Sequence, residues 1–287
     1  MSSGSSSPFA TQPPIGFGPG SQSTAEDEGL AYLPLPSGMR TFEAHLIEVE
    51  DKDRYVPAFA VLEEVIAALE GWQPGESRII DLGHLDPANL ALVDEAMGEG
   101  EVAVKVEGRG DVRAMEIQEA TFAGVWRLRG AAGTDRIEIG AFPRGAVVRA
   151  FGGGAGIDLS GLDAPAPGIF NAPALLVEID DRSRTRQPGD PAHVINLSLL
   201  PHTPEDLAML EARLGPGATT VLSRGYGNCR IDATGTRHVW RVRFYNSQDM
   251  LILDTIEVSE VPEVACAARE DIADSAERLT EVLAAMR

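Results

Sequence analysis

The chain has 287 residues, with 44 acidic against 24 basic side chains and a formal net charge of −20. That balance excludes a nucleic-acid binder, because phosphate contacts need clustered Lys and Arg, whereas surplus acid serves solubility and suits a basic partner. Two cysteines without a CxxC spacing, no signal-peptide pattern and no apolar run of about 18 residues predict a cytoplasmic protein with no membrane span.

Residues 1–29 are rich in Ser, Gly and Pro and end in acid, which predicts a disordered N-terminal tail. Residues 30–55 contain Tyr32-Leu33-Pro34-Leu35-Pro36, whose alternating prolines impose an extended path. This Pro-rich segment reads as a surface strap or a docking strip. A first α+β repeat is expected over 56–150. Pro57 opens a helix with Phe59, Leu62, Val65, Ile66 and Leu69 on one face. Ile79–Leu82 is a short strand, and Asp86-Pro87 starts a second helix through Leu90, Val93 and Met97. Strands follow at 101–107, 112–119, 123–129 and 136–139, with 146–150 as a short edge piece.

Residues 151–168 form a Gly/Pro linker by composition. Its glycines are not a phosphate loop, since no Gly-Lys-Ser/Thr follows. A second α+β repeat is expected over 169–266. Asn171 caps and Pro173 opens a helix, Val194–Leu197 is a strand, and Thr203-Pro204 starts a helix through Leu207, Leu210 and Leu214. Strands are predicted near 218–223, 228–234, 237–245 and 249–258. The C-terminal helix, 267–287, places Ile272, Ala276, Leu279, Leu283 and Met286 on one side.

The two repeats echo each other in order. Gly108–Arg113 matches Gly225–Arg230, Val125-Trp126-Arg127 matches Val239-Trp240-Arg241, and Ile137-Glu138-Ile139 matches Ile256-Glu257-Val258. The expected fold is therefore α+β, with two tandem copies of a helix-covered, mostly antiparallel sheet unit made by internal duplication. Two sheets related by a pseudo-two-fold axis follow from that reading.

Chemistry-bearing motifs are sparse. The histidines His45, His84, His193, His202 and His238 show no metal-ligand spacing, although His84 and His202 occupy matching turns. Cys229 reads either as a reactive or ligating thiol beside Arg230 or as a small core residue. Trp126 and Trp240, in matching slots, read as core anchors. Tyr245-Asn246-Ser247-Gln248-Asp249 is a polar turn that differs from its first-repeat counterpart, as a specialised loop would. No nucleophile–base pair or paired acidic motif stands out, so no enzyme activity is expected, and neither cofactor nor metal is assigned.

Gly227–Ile231, Val239–Ser247 and Ile252–Leu279 resemble the C-terminal region of the HupH/HyaF family of hydrogenase expression/formation proteins. Tyr32–Phe42 resembles that family's Pro-rich N-terminal signature, and Phe170–Ile179 its central helix. The resemblance implies a non-enzymatic cytoplasmic chaperone for maturation of an uptake [NiFe]-hydrogenase. Its implied partners are a hydrogenase subunit precursor, with the small iron–sulfur subunit favoured over the large one, and other maturation proteins. A metal or cluster carrier using Cys229 is the alternative. The resemblance assigns partner binding to Asn228, Cys229, Arg230, Trp240, Asn246 and Ser247, to which the polar turn adds Tyr245.

Overall fold

One continuous antiparallel sheet organises the structure, a computed structural model that describes residues 51–287 apart from 109, 111–112, 131–133, 152–155, 165–166 and 226. These residues fall in one compact unit, His45–Arg287. The tail, and the strap up to residue 50, lie outside them. Ten strands are present among the described residues: β1 (Arg78–Asp81), β2 (Val102–Val106), β3 (Met115–Glu119), β4 (Val125–Gly130), β5 (Thr134–Ile139), β6 (His193–Asn196), β7 (Pro216–Ser223), β8 (Asn228–Thr234), β9 (Val239–Tyr245) and β10 (Leu251–Val258). Their order is β1-β5-β4-β3-β2-β7-β8-β9-β10-β6, which reads the same from either end: a short edge strand, then a four-strand meander. The fold class is α+β.

The expectation of two sheets is corrected by the centre of that order. β2 and β7 pair edge to edge from Val102↔Ser223 to Val106↔Thr219. Each would otherwise present a row of unpaired backbone groups flanked by β-branched side chains, so joining them removes two open edges at once. Residues 146–150 are also corrected, from strand to helix. They belong to α3 (Arg144–Ala150), which Pro143 precedes and which buries Ala146 and Ala150, four residues apart, against the sheet.

Alternation along the strands gives the sheet two different faces. One carries Val104, Ile117, Trp126, Leu128, Val221, Ile231, Trp240 and Val242, packed as a central core under Phe142, Ala146 and Ala150. The other has a core at each end. α1 (Val56–Glu70), α2 (Pro87–Met97) and α6 (Arg269–Met286) cover Ile80, Val125, Ile137 and Ile139. α4 (Ala172–Thr185) and α5 (Pro204–Leu214) cover Ile195, Val239, Ile256 and Val258. The 151–168 segment contributes to packing: Ile157 is buried in the α4–α5 core and Phe151 stacks edge-on to Trp240 at 5.0 Å.

Each helix pair is locked where its N-termini meet. Asn89, in the first turn of α2, accepts the Ala58 N–H of α1 at 3.0 Å. Asp206, in the first turn of α5, takes the Phe170, Asn171 and Ala172 N–H groups at 2.9–3.0 Å and the Thr203 N–H at 3.2 Å. The orphan donors that open α4 are thus satisfied by a carboxylate from another helix. Asn171 makes no side-chain cap bond of its own; its amide donates to the Pro201 carbonyl. Burial pushes the Asp206 carboxyl up, but its backbone donors outweigh that and hold it at about 2.

At the other end α6 crosses onto the first helix pair, and Ile272 packs against the turn before β4. Gly124 sits there at φ 80°, where a Cβ would lie 2.6 Å from Ile272 Cγ1. Buried Glu119 accepts the Gly124 N–H at 3.3 Å. Burial, and then the neighbouring carboxylates Glu101 and Asp271, push it up to about 7 against that hydrogen bond.

Two outcomes follow for equilibrium unfolding. Asp206→Ala leaves four backbone donors unpaired and lowers stability by more than about 3 kcal/mol. The Asp206 contribution is full above the ordinary aspartate value of 3.8 and disappears as pH falls through about 2. Glu119 has the opposite sign. Its raised value makes wild type lose stability as pH rises from 4.5 through about 7, and Glu119→Gln removes about 2 kcal/mol of that decline.

Candidate partner-binding surface

The residues singled out from sequence meet around β8, β9 and β10, but the pleat divides them. Cys229 and Trp240 point into the central core, 4% and 0% exposed. Trp240 holds its slot by packing, since its Nε1 has no partner among the described residues, whereas the Trp126 Nε1 donates to the Gly140 carbonyl at 2.8 Å. Burial, and then Glu257, push the Cys229 thiol up to about 12, so it behaves as an apolar core residue and not as a thiolate. Among the described residues no group of three or more His, Cys, Asp or Glu side chains is placed to hold a metal, His84 and His202 included.

Arg230 lies on the opposite face. It and Arg243 share Asp232, with contacts of 2.8 and 2.5 Å, while Arg241 grips Asp254 with two bonds of 3.1 and 2.8 Å. Burial would raise the Asp232 carboxyl, but the Arg230, Arg243 and Thr220 hydrogen bonds hold it below the ordinary value. On the first half of this face Asp94 of α2 reaches the sheet and ties Arg127 and Arg129 at 2.8 and 3.0 Å. The longer Glu211 of α5 stops 3.9 Å from Arg241. A cleft of about 430 Å³ stays open there, walled by Leu207, Leu210 and Leu214 over the arginine floor.

Tyr245, Asn246 and Ser247 stand at the tip of the β9–β10 hairpin, and Asn228 is brought beside them by its pairing with Tyr245. The turn is built by Asn246. Its Oδ1 accepts the Gln248 and Met250 N–H groups at 2.9 and 3.0 Å, and Asp249 adopts φ 57°. Asn246 is thus committed to the turn, while Ser247, Gln248 and Asp249 are exposed.

Immediately beyond, the pairing slips between Leu251 and Leu253, and Ile252 bulges outward, 61% exposed. β6 pairs only with Thr255–Val258, so among the described residues the first half of β10 has no ladder partner on that side. The chain after β6 runs alongside it, where the Asp254 N–H donates to Ser198 Oγ at 2.9 Å, and Leu199 follows, 80% exposed. Met250, Leu251, Ile252, Leu199 and Leu200 form an exposed apolar ledge next to the polar tip. Its signal in the sequence is the Met250–Leu253 run, too apolar for a hairpin arm with a solvated face.

Comparison with known proteins gives a consistent picture. The family described as HupH hydrogenase expression protein, C-terminal conserved region, matches this chain twice, over residues 55–150 and 169–286. The hydrogenase expression/formation protein HupH of Rhodobacter capsulatus is 55% identical over 96% of this chain and 98% of its own length. HoxQ of Cupriavidus necator, with the same description, is 45% identical over 94% and 96%. The hydrogenase-1 operon protein HyaF of Escherichia coli K12 is 34% identical over 93% and 94%.

A core role for Cys229 makes Cys229→Val cost no more than about 1 kcal/mol, whereas a polar replacement costs more. In the native wild type Ellman's reagent at pH 8 leaves this thiol unmodified until the protein is unfolded.

Proposed function

Since the chain belongs to the family of HupH hydrogenase expression/formation proteins, we propose that it is a cytoplasmic chaperone for maturation of an uptake [NiFe]-hydrogenase. It holds a subunit precursor, the small iron–sulfur subunit in preference to the large one, before assembly and export, alongside other maturation proteins. The observation that carries this reading is the apolar ledge of Met250, Leu251, Ile252, Leu199 and Leu200 beside the Tyr245–Asp249 tip. An unfinished client exposes apolar segments, and a ledge of exposed aliphatic side chains offers them apolar contact. The acidic balance of the chain suits a basic export peptide on the client. A cluster carrier built on Cys229 is disfavoured by the burial and protonation of that thiol.

Tagged protein incubated with each subunit precursor at low and moderate salt tests the proposal. The small-subunit precursor is expected to be retained, and Leu251→Asp with Ile252→Asp is expected to weaken retention about tenfold without unfolding the protein. Retention of the large-subunit precursor alone would reassign the client. Loss of both precursors at both salts would remove the proposal.

A further inference from the structure

A Gln-Pro-Gly turn occurs twice, at Gln73-Pro74-Gly75 between α1 and β1 and at Gln187-Pro188-Gly189 between α4 and β6. Both glycines are left-handed, at φ 84° and 86°. Each turn lies near a second matching position, the residue before the Val-Trp pair of β4 or β9. That residue is Gly124 in one half and His238 in the other, at φ 80° and 64°. The two corners are built alike but filled differently.

In the first half α6 packs beside the corner and leaves a pocket of about 540 Å³ whose wall also carries Glu70, Gln73, Arg269 and Glu277. Leu69 and Trp72 face Ile272 and Ala276 of α6, and the bare Gly124 lets that helix approach. In the second half the matching positions carry Ser183, Arg186 and His238, with Arg237 where the first half has Ala123. No helix among the described residues covers them, and a pocket of about 460 Å³ remains, with Arg184 and Glu260 also on its wall.

The cations in this pocket are only partly neutralised. Arg184 pairs with Asp180 at 3.0 Å. Arg186 donates to the Asp190 and Pro191 carbonyls at 3.0 and 3.3 Å, which fixes its guanidinium and leaves its charge. Among the described residues no carboxylate makes an ion pair with Arg186 or Arg237. Burial, and then Arg237 and Arg186, hold the His238 imidazole below its ordinary value, and its Nδ1 is buried without a partner among the described residues. In a chain of net charge −20, a concavity with this excess of guanidinium groups is a local inversion of sign.

We propose that this corner is a docking pocket for an acidic segment of a partner protein, with the partner's carboxylates seated on Arg186 and Arg237. A polypeptide occupant is favoured because in the matching corner a polypeptide element, α6, forms one wall and seats Ile272 against Gly124. The Arg186 guanidinium, already oriented by carbonyl bonds, takes a carboxylate with little further ordering. This inference is independent of the apolar ledge and of the client held there.

The test uses the full chain and a fluorescent glutamate–alanine peptide, with anisotropy measured at physiological ionic strength, where screening confines the contest to nearby charges. The peptide binds wild type, and an unlabelled lysine–alanine peptide does not displace it. Arg186→Glu with Arg237→Glu weakens glutamate-peptide binding at least about tenfold. The control, Lys52→Glu with Arg144→Glu, makes the same change in net charge elsewhere and leaves binding within about twofold. Equal loss in both variants, or loss in neither, overturns the proposal. So does inorganic phosphate binding as tightly as the peptide and displacing it, which would mark a free-anion site.

Discussion

Pairing of β2 with β7 is the contact on which the rest of this structure depends. It joins two meanders of like order into one sheet. Because pairing preserves the pleat, the joining also fixes which side chains share a face. Val104 and Val221, opposite each other at the seam, continue a single apolar surface from Trp126 to Trp240. α3 spans that surface, with the Thr219 hydroxyl donating to the Ala146 carbonyl at 3.0 Å. On the reverse face the same seam keeps the two helix pairs apart, and the strands between them carry mostly polar side chains, Lys105, Gln118, Arg127, Thr220, Arg230 and Asp232, around an exposed Leu222.

Much of this was legible in residues. Helix starts at Pro57, Asp86-Pro87 and Thr203-Pro204 were readable because cap chemistry is local. Most strands were readable because alternation and turn residues are local too. The β2–β7 pairing was not, since nothing in Val102–Val106 names a partner far along the chain. α3 was missed because seven residues carry too little helical period to outweigh their valines. Asp206 could be read as a cap for its own helix, but its grip on the start of α4 comes from three-dimensional proximity alone.

The candidate surface was legible in part for the same reason. The Tyr245–Asp249 turn announces itself, and the structure adds that Asn246 is committed to building it. Cys229 and Arg230 are neighbours in sequence, yet the pleat sends one into the core and the other to the opposite face, so no thiolate–guanidinium pair forms. The apolar ledge depends on β6 being short and on the bulge at Ile252, neither of which a propensity argument supplies. The repeated Gln-Pro-Gly turn was present in the letters. Only the differing cover over its two copies gives it meaning.

The placement of α6 has a consequence for the order of folding. Ile272, Leu279, Leu283 and Met286 complete the core around α1, which lies far away along the sequence. Until that distant contact forms, the face of α1 turned toward α6 lacks its final cover. The α1–α2 pair therefore reaches full stability only when α6 docks, and the two ends of this unit close together.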